Sequence, residues 1–219
     1  DLFLYGNFTA KNCIFINNSA AQGGALTMHA SGTINNCTFI NNSAVLFGGA
    51  VSTGYANMNM NLTIQDCNFD GNVAPIGGAV QLIGKNININ ECEFNNNKAS
   101  QTGGAVNVNA ETVNVKSSSF NDNVAHVDGG SVFINGKNTQ IMDSSFISND
   151  AIPDVDKLDD GLGGAIYINS TEASISNNKF YYNTARNGSA IYYDKYGTKL
   201  TLTNNTLFEN QAWVYALPI

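Results

Sequence analysis

Apolar residues in this chain alternate with polar ones over short stretches, as in Leu62-Thr63-Ile64, Ile87-Asn88-Ile89 and Val113-Asn114-Val115. Such alternation predicts short strands with one buried face, and no stretch carries the spacing of a helical face. The stretches recur. Phe15-Ile-Asn-Asn18-Ser-Ala20 returns as Phe39…Asn42-Ser-Ala44, Phe69…Asn72-Val-Ala74, Phe94…Asn97-Lys-Ala99, Phe120…Asn123-Val-Ala125, Phe146…Asn149-Asp-Ala151 and Phe180…Asn183-Thr-Ala185. An eighth copy, Leu207…Asn210-Gln-Ala212, puts Leu in the Phe position. Each of the first seven copies is followed by a Gly-Gly-Ala-type turn, from Gly23-Gly24-Ala25 and Gly48-Gly49-Ala50 to Gly163-Gly164-Ala165 and the weaker Gly188-Ser189-Ala190. The interval between equivalent Phe or Leu positions runs from 24 to 34 residues, and averages about 27.

A fixed period of this length marks a solenoid, in which one unit cannot bury its apolar face and must lie on the next. With two or three short strands per unit, successive coils pair in parallel about 4.8 Å apart. The expected fold is all-β: a right-handed parallel β-helix of about eight coils forming a single domain over residues 1–219. Like residues then stack on like. Phe faces inward, and Asn18, Asn42, Asn72, Asn97, Asn123, Asn149, Asn183 and Asn210 form one amide ladder, since Asn also tolerates the left-handed φ of corners. The paired glycines meet a positive-φ or close-approach requirement. Cys13, Cys37, Cys67 and Cys92 share a further column, continued by Ser118, Ser144, Asn178 and Asn205. Neighbouring coils fall inside the Cα separation of a disulfide, so Cys13–Cys37 and Cys67–Cys92 pairs are open, as is a column of buried free thiols that Ser can replace.

Composition narrows the function. Charged residues are only 12 % of the chain, against about 25 % in an average domain, and Asn stands at 35 of 219. Hydrophobic residues at 43 % suffice for a core, so low charge is not a sign of disorder. A net charge of −7 and a single Arg exclude the basic footprint that phosphate backbones require, and nucleic acid is not an expected partner. No apolar run reaches the roughly 18 residues that span a membrane, so no direct insertion is expected for this segment, and no targeting signal stands at Asp1. The Cys and His spacings match none of the common zinc patterns.

With Phe-x-x-Asn and Gly-Gly-Ala-[Ile/Val/Leu] alternating through the chain, the sequence resembles the repeat regions of surface adhesins built as right-handed β-helices. Phe69-Asp-Gly-Asn72 with Gly78-Ala79-Val80 is similar to the paired tetrapeptides of the chlamydial polymorphic outer-membrane proteins. Cys37-Thr-Phe-Ile-Asn-Asn-Ser-Ala44 and Asn61-Leu-Thr-Ile-Gln-Asp-Cys67 look more like the adhesin-like proteins of methanogenic archaea. The resemblance implies an extracellular, cell-surface fragment of a longer protein that attaches to a glycan or protein on a host or neighbouring cell. It carries over no catalytic residue.

Function in a solenoid is expected where the repeat is broken. One insertion covers residues 54–60. Another, residues 150–161, holds five carboxylates, and Asp154, Asp156, Asp159 and Asp160 are the candidates for a calcium site, the alternative being a solvated acidic loop. No other cofactor is expected. The position two residues after the turn alanine reads Thr27, Ser52, Gln81, Asn107, Phe133, Tyr167, Tyr192, and alternation predicts that it points outward. Phe133, Tyr167 and Tyr192, with Tyr181 and Tyr182 in the same coils, form a candidate aromatic ridge for sugar rings or protein partners; stacked aromatics also simply stabilise a sheet. Eight Asn-x-Ser/Thr sequons, at Asn7, Asn17, Asn36, Asn41, Asn61, Asn169, Asn187 and Asn204, would permit glycosylation of an exported protein.

Parallel β-helices also carry polysaccharide-cleaving enzymes. The best carboxylate pair is Asp66 and Glu91 in adjacent coils, yet Asn12, Asn36, Ser117, Asp143, Asn177 and Asn204 fill the same position elsewhere, which is the chemistry of a corner. An adhesin-type module is therefore expected ahead of an enzyme or a purely structural stalk.

Overall fold

A computed structural model describes residues 2–4, 6–54, 59–152, 160–194 and 196–212. Among them every regular element is a strand, and every strand pair is parallel. The chain is a parallel β-helix. Its second sheet stacks eight strands, Ile14–Ile16, Thr38–Ile40, Asn68–Asp70, Glu93–Asn95, Ser119–Asn121, Ser145–Ile147, Lys179–Tyr181 and Thr206–Phe208. The third sheet stacks eight more, from Ser19–Gln22 to Gln211–Ala212. Eight levels in register amount to seven windings between them, and Phe15, Phe39, Phe69, Phe94, Phe120, Phe146, Phe180 and Leu207 align one to the next.

The first sheet is wider because it runs in two lanes. In the middle coils both lanes belong to one long strand, Val80–Asn90, Val106–Lys116, Val132–Met142 and Ile166–Ser176, while towards each end they separate, as Leu26–Met28 and Gly32–Asn35 or Ile191–Tyr193 and Lys199–Thr203. The register steps over Lys85, Glu111 and Lys137, so the sheet folds along that line.

Three left-handed residues turn each coil. The first corner has Asn12, Asn36, Asp66, Glu91, Ser117, Asp143, Asn177 and Asn204, all at φ 49–58°, so Asp66 and Glu91 hold the same backbone conformation as their amide counterparts. The second has Asn17, Asn41, Gly71, Asn96, Asp122, Ser148, Tyr182 and Glu209. The third uses the glycine pair, and its two members answer different needs. Gly103 sits at φ +66°, while a Cβ on Gly104 would lie 1.9 Å from the carbonyl oxygen of Gly130 in the next coil. Positive φ and contact with its own turn, where a Cβ would lie 2.3 Å from the Val106 carbonyl oxygen, demand the first glycine, and contact with the next coil demands the second.

The interior is dry and columnar. The rings from Phe15 to Phe180 stack with centroids 4.7–5.0 Å apart and planes within 7° of parallel. Leu26, Ile34, Leu62, Ile89, Val106, Ile134 and Ile175 fill the rest of the core, each essentially without solvent contact. Beside them runs the amide ladder. The Nδ2 of Asn97 donates to Asn123 Oδ1 at 3.0 Å and to the Phe69 carbonyl at 3.0 Å, and the same pattern repeats from Asn42 through Asn183.

The cysteine column is a second ladder of the same kind. Each backbone N–H donates to the side chain one coil on: Cys13 to Cys37 Sγ and Cys37 to Cys67 Sγ at 3.4 Å, Cys92 to Ser118 Oγ and Ser118 to Ser144 Oγ at 3.1 Å, and Ser144 to Asn178 Oδ1 at 2.9 Å. Thiols and hydroxyls donate in turn to the carbonyl two residues back, as Cys67 does to Gln65 and Ser118 to Lys116. All four cysteines are free thiols here. Burial pushes the Cys37 thiol above its ordinary value, and a hydrogen bond with Cys67 together with burial does the same to Cys92.

Candidate binding surface

The five aromatic residues expected to form one ridge form two separate structures. Phe133, Tyr167 and Tyr192 align on the first sheet, with ring centroids 4.6 and 5.4 Å apart and planes 2° and 12° from parallel. The column they belong to is not an open surface. Thr27, Ser52, Gln81 and Tyr167 are buried, Tyr167 being only 8 % exposed, because the turn before the glycines folds back over the outer side of the strand. Thr27 donates to the Gln22 carbonyl at 2.7 Å and Asn107 to Thr102 Oγ1 at 2.9 Å across that crease. Alternation correctly directs these side chains away from the lumen, but outward here means into a re-entrant corner. Both faces of Tyr167 are taken by its neighbours, while Phe133 and Tyr192, half-buried, each give one face to the stack.

Tyr181 and Tyr182 lie elsewhere, on the second sheet and its following corner. Ile147, Tyr181 and Phe208 are register partners on the outer face of that sheet. Phe208 meets Tyr181 at 6.1 Å and Tyr182 at 5.9 Å, both nearly edge-on, and the two tyrosines meet at 6.4 Å. Tyr182 and Phe208 are about half exposed. Tyr182 also adopts φ 57°, a conformation that costs a bulky residue energy and that Asn, Gly, Asp or Ser take at most other coils. Sequence reasoning missed Phe208, though its position two residues before Asn210 marks it as the outward neighbour of Leu207.

A group of acids borders the first aromatic stack. Tyr167 donates its hydroxyl proton to Asp194, and both burial and that carboxylate push the tyrosine above its ordinary value. Asp128 accepts a 2.9 Å hydrogen bond from the Leu162 N–H; burial, with repulsion from Asp160 and Asp194, pushes its carboxyl up to about 6. Asp128, Leu162 and Asn187 are bridged coil to coil at the base of this corner.

The acidic insertion is shorter than expected, because Asp150–Ala151 is a ladder strand paired with Val124–Ala125. Of the calcium candidates, Asp154, Asp156 and Asp159 lie outside the described residues, and Asp160 faces Asp128. Among the described residues no three His, Cys, Asp or Glu side chains are placed to hold a metal ion. In the other insertion, residues 55–58 lie outside the described residues, while Met60 is buried in the core and its carbonyl accepts the Lys85 N–H at 2.7 Å.

Residues 55–217 match the family model described as right handed beta helix region. The chain belongs to the right-handed β-helix family. No curated protein and no solved structure gives a significant match. As a right-handed β-helix the molecule spends its regular positions on stacking, and the exposed Tyr182 and Phe208, with the half-buried Tyr181 between them, stand out as side chains that stacking does not require.

Proposed function

We propose that this β-helix is an extracellular, adhesin-type binding module that attaches through the flank carrying Tyr181, Tyr182 and Phe208 to a glycan or protein on another cell. The observation that carries the reading is Tyr182. An aromatic side chain held half exposed at a left-handed corner weakens the fold, so its value must lie outside it. Edge-on rings leave faces open to a sugar ring or a partner's side chain, whereas Tyr167 in the other group is buried with both faces stacked. The resemblance to archaeal and chlamydial surface adhesins points the same way.

The test uses a glycan array and whole-cell adhesion, with Tyr182→Asn as the decisive variant. Asn17, Asn41 and Asn96 already occupy this corner in other coils, so the variant should be more stable by about 1 kcal/mol while binding falls about tenfold or more. A Tyr182→Asn, Phe208→Ala chain that binds as well as the parent would defeat the assignment.

One observation favours a polysaccharide-cleaving activity instead: Asp128, a carboxyl shifted to about 6, lies beside Asp160 and Asp194. Glycoside cleavage needs a carboxyl that still holds its proton as general acid beside a second carboxyl group. That reading expects reducing ends to appear on incubation with plant or microbial polysaccharide, and expects Asp128→Asn to abolish them.

A further inference from the structure

A polar trough runs along the axis where the first corner meets the second sheet. Its volume is 340 Å³, and apart from Cys92 every residue that lines it is polar or charged. One wall is the corner column Glu91, Ser117, Asp143 and Asn177, all exposed. The other is the first outward column of the sheet, where Glu93, Ser119, Ser145 and Lys179 are register partners. Between the walls, Cys92, Ser118 and Ser144 turn their side chains into the interior ladder, which leaves the floor to backbone. The sequence itself makes the depression. Short serines stand at Ser117, Ser119 and Ser145, while the coils on either side carry the longer Glu91, Glu93 and Lys179. The trough crosses four coils, at steps of 4.8–5.0 Å.

Its chemistry selects among ligands. Three carboxylates face one ammonium, so a ligand bearing acidic groups is repelled and one bearing amino groups is drawn in. Asp143 is steadied by Asn177, whose Nδ2 donates to Oδ1 at 3.1 Å, and its other oxygen is left to accept. Serine hydroxyls both donate and accept, and the trough has no apolar wall of the kind that anchors a protein interface. A glycan chain, by contrast, carries hydrogen-bonding groups along both edges. One coil step is close to the length of one pyranose unit, so successive sugars can meet successive coils. The trough also ends beside the aromatic flank, because Lys179 and Tyr181 project from the same outer face of the strand Lys179–Tyr181.

We propose that this trough is the glycan subsite of the adhesive flank and takes a linear glycan bearing free amino groups. The chain lies along the helix axis with its ammonium groups on Glu91, Glu93 and Asp143. Lys179 meets a hydroxyl, and one sugar ring leaves the trough to lie against Tyr181, Tyr182 and Phe208. The inference rests on the adhesive reading and narrows its ligand from any glycan or protein to an amino-sugar polymer.

Calorimetric titration of the parent with a glucosamine hexamer, its fully N-acetylated counterpart and an oligogalacturonate tests it. The glucosamine hexamer should bind, and more weakly as salt is raised; the acetylated form should bind about tenfold more weakly or less, and the oligogalacturonate not at all. Asp143→Asn with Glu91→Asn leaves the fold intact, since Asn12, Asn36, Asn177 and Asn204 hold this corner at the same φ. That double variant should lose about tenfold or more for the hexamer and its preference over the acetylated form. Ser145→Lys, the residue the next coil already carries in register, should fill the trough and abolish binding. A parent that prefers the acetylated or the acidic oligosaccharide, or variants that bind the hexamer as the parent does, overturn the inference. A parent that binds none of the three overturns it as well. Cell adhesion that persists in that case, and falls with Tyr182→Asn, keeps the adhesive role and points to a protein ligand.

Discussion

Asn123 uses every hydrogen-bonding capacity of its side chain in the dry interior. Its Oδ1 accepts the N–H and Nδ2 of Asn97 at 3.0 Å, and its Nδ2 donates to Asn149 Oδ1 at 3.0 Å and to the Phe94 carbonyl at 2.9 Å. No other short side chain has two donors and an acceptor of two bonds in this geometry. Asp would present two acceptors to the Phe94 carbonyl and to another oxygen, and leave a charge in a site without solvent contact. Asn123→Asp should therefore lower the unfolding free energy by about 3 kcal/mol or more, measured by urea denaturation, while Asp122→Asn at the neighbouring exposed corner should change it little. Asp128 sets a pH dependence. Its folded value of about 6 exceeds the roughly 3.9 of an unfolded carboxyl, so between these limits the folded chain holds a proton that the unfolded chain has released. The stability contributed is complete below pH 4 and is lost as pH rises through 6. Thermal denaturation should show the parent gaining stability from pH 7 to pH 4, and Asp128→Asn should be flatter over that window and more stable at pH 7; partial contact with water keeps the difference on the order of 1–2 kcal/mol.

At the scale of elements, the glycine turn and the Phe strand are the two devices that hold coil to coil. Gly104 faces the Gly130 carbonyl so closely that a methyl group must displace the backbone of the next coil, whereas at Gly103 the positive φ combines with a Cβ position 2.3 Å from the Val106 carbonyl oxygen of its own turn. Gly103→Ala and Gly104→Ala should each cost several kcal/mol, the first by straining its own turn and the second by pushing on the next coil, and Gly103→Asn should cost less than Gly103→Ala because Asn enters the left-handed region more readily. Equal losses for Gly103→Asn and Gly103→Ala, read in the same melting experiment, would show that contact within the turn and not conformation governs the first glycine. This level was largely legible beforehand. The spacing of Phe69 to Phe94 and of Gly77-Gly78 to Gly103-Gly104 specifies parallel stacking in register, since a slip of one residue would turn every Phe outward.

At the scale of the whole molecule, stability is a sum over neighbouring coils, and the first and last described coils have a described neighbour on one side only. The burial follows this: Phe94 and Asn97 in the middle are fully enclosed, while Phe15 and Asn18 are partly open and Leu207 is exposed. Hydrogen exchange should accordingly be slowest in Val106–Lys116 and its neighbours and fastest in Phe8–Lys11 and Lys199–Thr203, with a graded profile between. Uniform protection from end to end would show that the stack opens only as one unit.

The sequence by itself determined the winding of the chain. It told which residues face the lumen, which meet on adjacent coils, and that Asn at one corner after another is structural, because in a solenoid equivalent positions are neighbours and the period can be counted. It did not tell what lies over the outer face. Tyr167 reads as exposed by alternation, and only the folded structure shows it buried, stacked between Phe133 and Tyr192 with its hydroxyl on Asp194. Asp128, Asp160 and Asp194 belong to different coils and to no repeated position, so nothing in the period brings them together. Tyr181, Tyr182 and Phe208 likewise become one partly exposed cluster through the stacking of their coils and the angle at which a corner turns away from its sheet. Pairing along the axis is written in the repeat; enclosure across it depends on how three sheets of unequal width fold around one core, and that only the tertiary structure decided.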